Sequence, residues 1–326
     1  MIDPVVRPSF SLVIPTFNEE RHLDAALRSV LGQTYPRFDV VVVDDGSTDR
    51  TREIIERFTL TGRVTLVAHE VNRGSGAARN SGVDNATSEV VVFVDADVTL
   101  PHDFLERVAA DYRAGADAVA VESRVADQRF VVCRFQQAVH QVNYPDLRGV
   151  VFSQAFSCKT SIARSLRFDE QLPGCAADDS AFGERLLAAD YVVARKPDLV
   201  VEHMLPRTVT DLWHQQFKRG CSVVHSDLHV RRRSLRAMAL RRTLASLKAL
   251  LELALVVPTL VQTARLVRCS GRGRADAVAF WLLHYVHVIA YRWGQLTEAG
   301  KLVVAAFHAS VIAAYENFSR IVSSGS

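Results

Sequence analysis

The chain has 326 residues, of which 48% are apolar and 23% charged, so it is neither a short peptide scaffold nor an intrinsically disordered chain. Its net charge of +3 is the balance of two unlike parts: residues 1–210 carry 23 Lys and Arg against 30 Asp and Glu, whereas residues 211–326 carry 16 against 6. The basic part is a candidate for contact with an anionic surface such as phospholipid or nucleic acid.

From Phe10 onward, apolar runs alternate with amphipathic segments, a pattern typical of a parallel sheet with crossover helices. The apolar runs are short, as expected of strands that are buried on both faces. The predicted strands are Phe10–Ile14, Val40–Val43, Val64–Ala68, Val90–Val94 and Ala118–Val121. The predicted helices are Glu19–Leu31, Thr48–Phe58, Gly76–Asn85, Asp103–Tyr112 and Ala181–Ala189, the second with Ser47 or Thr48 as its N-cap.

Beyond His214 no further strand is predicted, and apolar segments follow a basic stretch. The basic stretch comprises Arg231, Arg232, Arg233, Arg236, Arg241 and Arg242. The apolar segments are Leu244–Val267, Ala277–Tyr291 and Leu302–Tyr315, whose uncharged runs are shorter than the roughly 20 residues of a membrane-spanning helix. Arginines beside apolar helices favour peripheral membrane binding, with packing on the rest of the chain or dimerisation as alternatives. Nucleic acid is not expected as a partner, because the basic stretch has no nucleic-acid-binding motif.

The five cysteines are widely spread and contain no C-x-x-C pair, so they indicate neither a disulfide framework nor a cysteine zinc site. They are Cys133, Cys158, Cys175, Cys221 and Cys269. Residues 1–9 lack the apolar stretch of a secretory signal. We therefore expect a cytoplasmic protein.

Acidic motifs recur where the predicted strands end, which is where open α/β sheets bind their ligands. The sequence is P-T-F-N-E-E at 15–20, D-D-G-S-T-D at 44–49 and D-A-D at 95–97. Each motif alone could be an ordinary turn or helix start. Together they bring carboxylates close to one another, an arrangement that a divalent cation would stabilise while it also binds phosphate oxygens.

Taken in order, these motifs and four others resemble the inverting glycosyltransferases of family 2, over about residues 10–224. The others are N-R-G-S-G-A-A-R-N-S-G at 72–82, F-D-E-Q-L at 168–172, D-D-S-A-F-G-E-R-L at 178–186 and V-E-H at 201–203. The resemblance implies a GT-A type fold, a Rossmann-like and mostly parallel sheet flanked by helices. It also implies a catalytic domain over residues 1–225, with residues 226–326 as a helical appendage.

The resemblance also implies which residues bind the donor nucleotide sugar and a divalent metal, Mn²⁺ or Mg²⁺. The residues expected around the base, the ribose and the diphosphate are Pro15, Thr16, Glu19, Asp45, Arg73, Gly74, Arg79, Asp95 and Asp178. Asp97 is the expected metal ligand, and His203 is expected beside the metal or the diphosphate. Two alternatives remain open: Arg79 on a solvated helix face, and His203 as a surface or core histidine.

The pair Asp178-Asp179 stands where the family usually has Glu-Asp. By this resemblance Asp179 is the general base, although acids also favour helix starts and the pair could be a helix cap. Residues 156–159 lack the glycine that relatives commonly have on the acceptor side, so the acceptor is not identified. Gly220 stands where processive members have the Trp of Q-x-x-R-W, which predicts transfer of one sugar.

The resulting hypothesis is a metal-dependent inverting glycosyltransferase with a UDP-sugar as the expected donor. Its acceptor would be a lipid-linked, glycan or small-molecule hydroxyl, in cell-envelope glycan, glycolipid or natural-product glycosylation at the inner face of the membrane. One alternative is a sugar-phosphate nucleotidyltransferase, but residues 15–20 lack the Gly-rich basic loop of that class. The other is a membrane-associated scaffold with a degenerate site, against which the retention of Asp45, Asp95, Asp97 and Asp179 speaks.

Overall fold

The computed structural model describes residues 7–144, 154–172, 178–229, 233–270 and 272–324. Within these ranges eight strands form one sheet, in the order β3-β2-β1-β4-β7-β6-β8-β5. The strands are β1 (Phe10–Thr16), β2 (Phe38–Asp44), β3 (Val64–Ala68), β4 (Val90–Phe93), β5 (Val98–Thr99), β6 (Ala118–Val125), β7 (Ser157–Lys159) and β8 (Val193–His203).

Helices cover both faces of the sheet and form the C-terminal part of the described chain. They are α1 (Leu23–Leu31), α2 (Thr51–Thr59), α3 (Ser75–Asn85), α4 (Phe104–Arg113), α5 (Val131–Asn143), α6 (Thr160–Leu166), α7 (Asp178–Ala188), α8 (Val209–His229), α9 (Leu235–Ala254), α10 (Val256–Arg268) and α11 (Ala277–Ser324). A short 3₁₀ helix, Gly273–Asp276, precedes α11. The prediction of an α/β protein with a mostly parallel sheet and a helical C-terminal part is confirmed.

Strands β1 to β4 are mutually parallel; β1, β2 and β4 are largely buried, whereas β3 lies at the edge of the sheet and is partly exposed. In β1 the side chains alternate between two cores, with Leu12 and Ile14 on one face and Val13 on the other. Strand β7 is antiparallel to both β4 and β6, whereas β6 and β8 are parallel. Because β1, β2 and β4 run the same way, their carboxyl ends lie at one edge of the sheet.

The five predicted strands are confirmed, but α1 and α2 begin later than predicted. Helix α1 begins at Leu23, and the N–H of Glu19 donates to the Thr51 hydroxyl (2.8 Å), which ties the segment before α1 to the start of α2. Helix α2 begins at Thr51, so the prediction of Ser47 or Thr48 as its N-cap is wrong. The N–H of Thr48 instead donates to the side-chain oxygen of Asn18 (2.8 Å), across to the loop after β1.

The apolar segment Leu244–Val267 is divided between two helices. Leu255 is extended (φ −85°, ψ 115°), and α9 and α10 meet there at 86°. Pro258 accounts for the break, since it has no N–H to donate to the carbonyl of Ala254. In the described residues no single helix is long and apolar enough to cross a membrane, although this bent pair reaches the threshold by length and composition.

The other two apolar segments belong to one helix, α11, which packs along α8. The basic stretch is less exposed than the sequence suggests, because Arg242 is buried in an ion pair with Asp227. Arg231 and Arg232 lie outside the described residues, as does Cys175.

Candidate active site

A cavity of about 510 Å³ opens at the carboxyl ends of β1, β2 and β4. Its lining includes eleven of the twelve predicted site residues: Pro15, Thr16, Glu19, Asp45, Gly74, Arg79, Asp95, Asp97, Asp178, Asp179 and His203. The remaining one, Arg73, pairs through its guanidinium with Glu170 (3.2 Å). The structure therefore brings the predicted residues together, from segments far apart in the chain. Their individual roles stay predictions. We call this space the donor cavity.

Asp45 organises the loop that leads into α3. Its side chain is buried, and its two carboxylate oxygens accept the backbone N–H groups of Arg73 (2.9 Å) and Gly74 (2.8 Å). Nδ1 of His69 lies 2.6 Å from the same carboxylate, and Nε2 of His69 lies 2.9 Å from the Ser81 hydroxyl. Gly74 has φ +92°, a conformation that other residues rarely adopt. Asp45 thus holds this turn, which requires glycine at position 74, at the wall of the donor cavity.

Arg79 lies between two acidic segments of the donor cavity. Its guanidinium donates to Asp95 (2.8 Å) and to Asp178, and its charged group lies over the ring of Phe168. Burial by itself would lower the pKa of Arg79, but the neighbouring carboxylates raise it above its ordinary value. The alternative of a solvated helix face is wrong, since the side chain is only 6% exposed.

The first two residues of α7 have different surroundings. Asp178 is buried and accepts hydrogen bonds from Arg79 and from the Ser75 hydroxyl (2.9 Å). Asp179 is half-buried and faces the donor cavity. Burial, together with the negative charge of Asp178, raises the pKa of Asp179 to about 6, although Arg79 opposes the shift. A carboxylate with such a pKa is suited to general-base catalysis near neutral pH.

Asp97 and His203 form a second polar pair in the donor cavity, with Nε2 of His203 3.2 Å from Oδ2 of Asp97. Burial would raise the pKa of Asp97, but His203 lowers it; reciprocally, burial would lower the pKa of His203, and Asp97 raises it. His203, the last residue of the V-E-H motif, thus lies at the end of β8 and in contact with Asp97.

These residues fit a divalent cation that shares its coordination with a phosphate group. In the described part of the chain, no group of three or more His, Cys, Asp or Glu is arranged to hold a metal by itself. A cation bound partly by substrate phosphate oxygens needs only one or two protein ligands. Asp97 offers a carboxylate, a ligand type that suits Mn²⁺ and Mg²⁺, and His203 places an imidazole beside it.

Residues 11–168 match the family model described as Glycosyl transferase family 2. Over these residues, just under half of the chain, the sequence is that of a family 2 glycosyltransferase domain. Among curated proteins, poly-beta-1,6-N-acetyl-D-glucosamine synthase from Staphylococcus epidermidis is 25% identical over 223 residues, which cover 64% of this chain and 53% of the relative. Other curated relatives are matched over as little as 15% of their own length.

The glycosyltransferase domain and the helices after it are also similar to solved structures. S. aureus TarS 1–349 in complex with UDP is 20% identical, with a TM-score of 0.53 over 88% of this chain and 90% of that one. The mannosyltransferase PcManGT from Pyrobaculum calidifontis, in complex with GDP-Man and Mn²⁺, is 22% identical, with a TM-score of 0.53 over 97% and 81%. At these identities the similarity shows a shared fold.

Lys218 and Arg219 are basic residues of the donor cavity to which the sequence assigns no role. They project from α8 together with Gln215, and the spacing of these three residues places them on one helix face. The signal in the sequence is the partial Q-x-x-R-W match at residues 216–220, in which Arg219 stands at the Arg position. Two cations at this wall suit the diphosphate of a nucleotide sugar.

Gly220 has a structural reason to lack a side chain. A Cβ on Gly220 would lie 2.0 Å from the carbonyl oxygen of Tyr291, where α8 crosses α11. The absence of Trp at this position is thus explained by helix packing. Transfer of a single sugar stays a prediction.

Proposed function

We propose that the protein is a metal-dependent inverting glycosyltransferase that moves one sugar from a nucleoside-diphosphate sugar, with a UDP-sugar as the expected donor, to an acceptor hydroxyl. The observation that carries the proposal is that Asp179 and the Asp97–His203 pair line one cavity at the carboxyl edge of the sheet. Two structures of similar fold support the proposal, because TarS is solved in complex with UDP-GlcNAc and PcManGT in complex with GDP-Man and Mn²⁺.

In the proposed reaction Asp179 accepts the proton of the acceptor hydroxyl, whose oxygen forms a bond to the anomeric carbon. The bond from that carbon to the diphosphate oxygen breaks, and its electron pair leaves with the nucleoside diphosphate. A single displacement of this kind inverts the anomeric configuration. With a pKa of about 6, Asp179 is mainly the carboxylate at pH 7, so it can accept the proton.

The leaving diphosphate requires positive charge. A divalent cation at Asp97 and His203, when bound, would neutralise the charge that develops on the diphosphate oxygens. Lys218 and Arg219 line the same cavity and contribute cationic side chains of the chain itself. Arg79 acts differently: its ion pairs with Asp95 and Asp178 hold the acidic segments in place.

Peripheral contact with an anionic membrane is the second part of the proposal. Helix α9 exposes a stripe of leucines at helical spacing, and α10 continues the apolar surface. The exposed residues are Leu240, Leu244, Leu247, Leu251, Leu255, Val257, Leu260 and Val261. Exposed cations border this surface: Arg236, Arg241, Lys248, Arg265 and Arg268. Anionic lipid complements these cations, whereas a second copy of the chain would bring like charges together.

Calorimetry and mass spectrometry test the enzymatic proposal. We expect UDP to bind more tightly with Mn²⁺ than without it, and a panel of nucleotide sugars to yield at least one that is hydrolysed or transferred. Asp97→Ala should abolish the metal dependence of UDP binding, and Asp179→Asn should abolish transfer while preserving UDP binding.

Asp190→Asn, at an exposed position just after α7, is the matched control and should change neither measurement. Absence of UDP binding together with inactivity on every nucleotide sugar would overturn the proposal. Pyrophosphate release from a nucleoside triphosphate would instead support a nucleotidyltransferase.

A further inference from the structure

A second cavity, of about 470 Å³, adjoins the donor cavity on the side of the C-terminal helices. It lies among β6, α5, α8 and α11, and its volume is in the range of about 300–1,000 Å³ that is usual for small-molecule sites. Gln154, Asp179, His203 and Arg219 line both cavities. The proposed base therefore stands in the wall between them, accessible from either side.

The second cavity contains buried polar atoms without partners. Oε1 of Gln136, Oε1 of Gln154 and Nδ1 of His287 have no hydrogen-bond partner among the described residues. Gln136 is only 7% exposed, and its amide nitrogen is already used by the carbonyl of Pro206 (2.9 Å). A buried polar atom without a partner is unfavourable, because it has lost its hydrogen bonds to water without replacing them. Ligand hydroxyl groups, which both donate and accept, would satisfy such atoms.

The charges around the second cavity disfavour an anionic ligand. Among the described residues, Asp179 and Glu184 are the carboxylates of its lining and Arg219 is its arginine. The lining histidines His140 and His203 are already paired with Glu122 (2.8 Å) and Asp97 (3.2 Å). Burial, together with the positive charge of Arg219, lowers the pKa of His287 to about 3, so the imidazole is neutral at physiological pH. A phosphate group here would meet more negative than positive charge, whereas a neutral polyol would not.

We propose that the second cavity binds a neutral, polyhydroxylated acceptor such as a sugar, with one hydroxyl directed to Asp179. This inference rests on the proposed transferase function and names the acceptor class that the function leaves open. The hydroxyl oxygen bonds to the anomeric carbon of the donor, its proton passes to Asp179, and the nucleoside diphosphate leaves from the donor cavity. His287 and Tyr291, both on α11, supply acceptor contacts from the far wall.

Saturation-transfer NMR on the full chain loaded with UDP and Mn²⁺ tests the proposal, with methyl hexosides and inositol as neutral probes and glucose 1-phosphate as the anionic one. We expect the neutral probes to bind. His287→Phe keeps the ring contact with Phe135 but removes both nitrogens, and Tyr291→Phe removes one hydroxyl. Each should weaken neutral-probe binding about tenfold, the effect of one hydrogen bond, with UDP affinity unchanged.

His284→Phe is the matched control, since His284 lies on the same helix and does not line the second cavity. The acceptor assignment is wrong if UDP binds normally but no neutral probe binds. It is also wrong if His287→Phe and Tyr291→Phe bind the neutral probes as tightly as the wild type and the control do. In both cases the transferase proposal stands. Tighter binding of glucose 1-phosphate that depends on His287 would also overturn the assignment. If UDP itself does not bind, the transferase proposal fails and the acceptor assignment fails with it.

Discussion

Gly220 of α8 and Gly294 of α11 lie in reciprocal contact where the two helices cross. A Cβ on Gly220 would lie 2.0 Å from the carbonyl oxygen of Tyr291, and a Cβ on Gly294 would lie 2.1 Å from that of Phe217. Neither helix can accept a methyl group there without moving its backbone. The contact also supports the second cavity, because Tyr291 both packs against Gly220 and lines that cavity.

Gly220→Ala and Gly294→Ala should each lower the free energy of unfolding by about 1–3 kcal/mol or more, because the added methyl group overpacks the crossing. Denaturant unfolding monitored by circular dichroism measures this change. Gly300→Ala is the control on α11: nothing lies within 4 Å of its Cβ, and Ala stabilises a helix by about 1 kcal/mol relative to Gly. Equal effects of all three substitutions would show that the crossing is not tightly packed.

Asp179 should give transfer a dependence on pH. Because its pKa is raised to about 6 and the carboxylate is the reactive form, kcat/KM should fall about tenfold per pH unit below pH 6 and level off above it. The measurement is initial rate against pH with saturating metal. A flat profile between pH 5 and 7 would remove Asp179 from the role of general base.

Asp179 should also affect stability, in the direction opposite to that of an ordinary ion pair. The pKa of Asp179 in the folded state lies above its unfolded value of 3.8, so the folded state binds this proton more tightly than the unfolded state does. The resulting contribution to the free energy of unfolding is fully present below about pH 4 and is lost as the pH rises through 6. Asp179→Asn should therefore stabilise the fold at pH 7 by roughly 1–3 kcal/mol and change it little at pH 4. Thermal unfolding at the two pH values tests this, and destabilisation at pH 7 would contradict it.

Arg79 should be needed for folding as well as for donor binding. Arg79→Met would leave Asp178 buried without its cationic partner, which costs about 3–5 kcal/mol for ion pairs of this kind. Arg73→Met is the matched control: its ion pair with Glu170 is half-exposed and contributes no more than about 1 kcal/mol. Equal unfolding midpoints for the two variants in urea would show that the buried pair is not stabilising.

Membrane contact should depend on the leucine stripe of α9. A triple variant, Leu244→Gln, Leu247→Gln and Leu251→Gln, should reduce sedimentation with vesicles containing phosphatidylserine by at least tenfold, because three apolar side chains of roughly 1.5–3 kcal/mol each are lost from the interface. Leu60→Gln, at an exposed leucine after α2, is the control and should have no effect. Unchanged sedimentation of the triple variant would leave packing or dimerisation as the role of this surface.

Strands β1, β2 and β4 could be predicted because they are short apolar runs, largely buried, with polar motifs at their carboxyl ends, whereas β5, β7 and β8 were not predicted. That order places Asp45, Asp95 and Asp97 at one edge before any coordinates are known. The face of α8 that lines the donor cavity could not be predicted in this way. Lys218 and Arg219 lie in the donor cavity on α8, whose position is set by packing on α11, a contact between residues some 70 positions apart in the chain.

The pattern of charges along the sequence predicted the exposure of arginines poorly, because it does not show which charged side chains pair in the fold. Arg242 belongs by sequence to a basic stretch, yet it is buried against Asp227 from another helix. Arg79 follows helical spacing and could equally be solvated, but it joins Asp95 to Asp178. In each case the partner lies on a distant element.

Arg134 of α5 and Asp276, just before α11, form a buried two-point ion pair at 2.7 and 2.8 Å, beside an apolar cluster that contains Phe135 and Phe280. The C-terminal helices are consequently not a module that can be removed at residue 225. Truncation there would expose this cluster and leave Arg134 without its counter-ion. The two halves of the sequence, opposite in net charge, should unfold together as one cooperative unit.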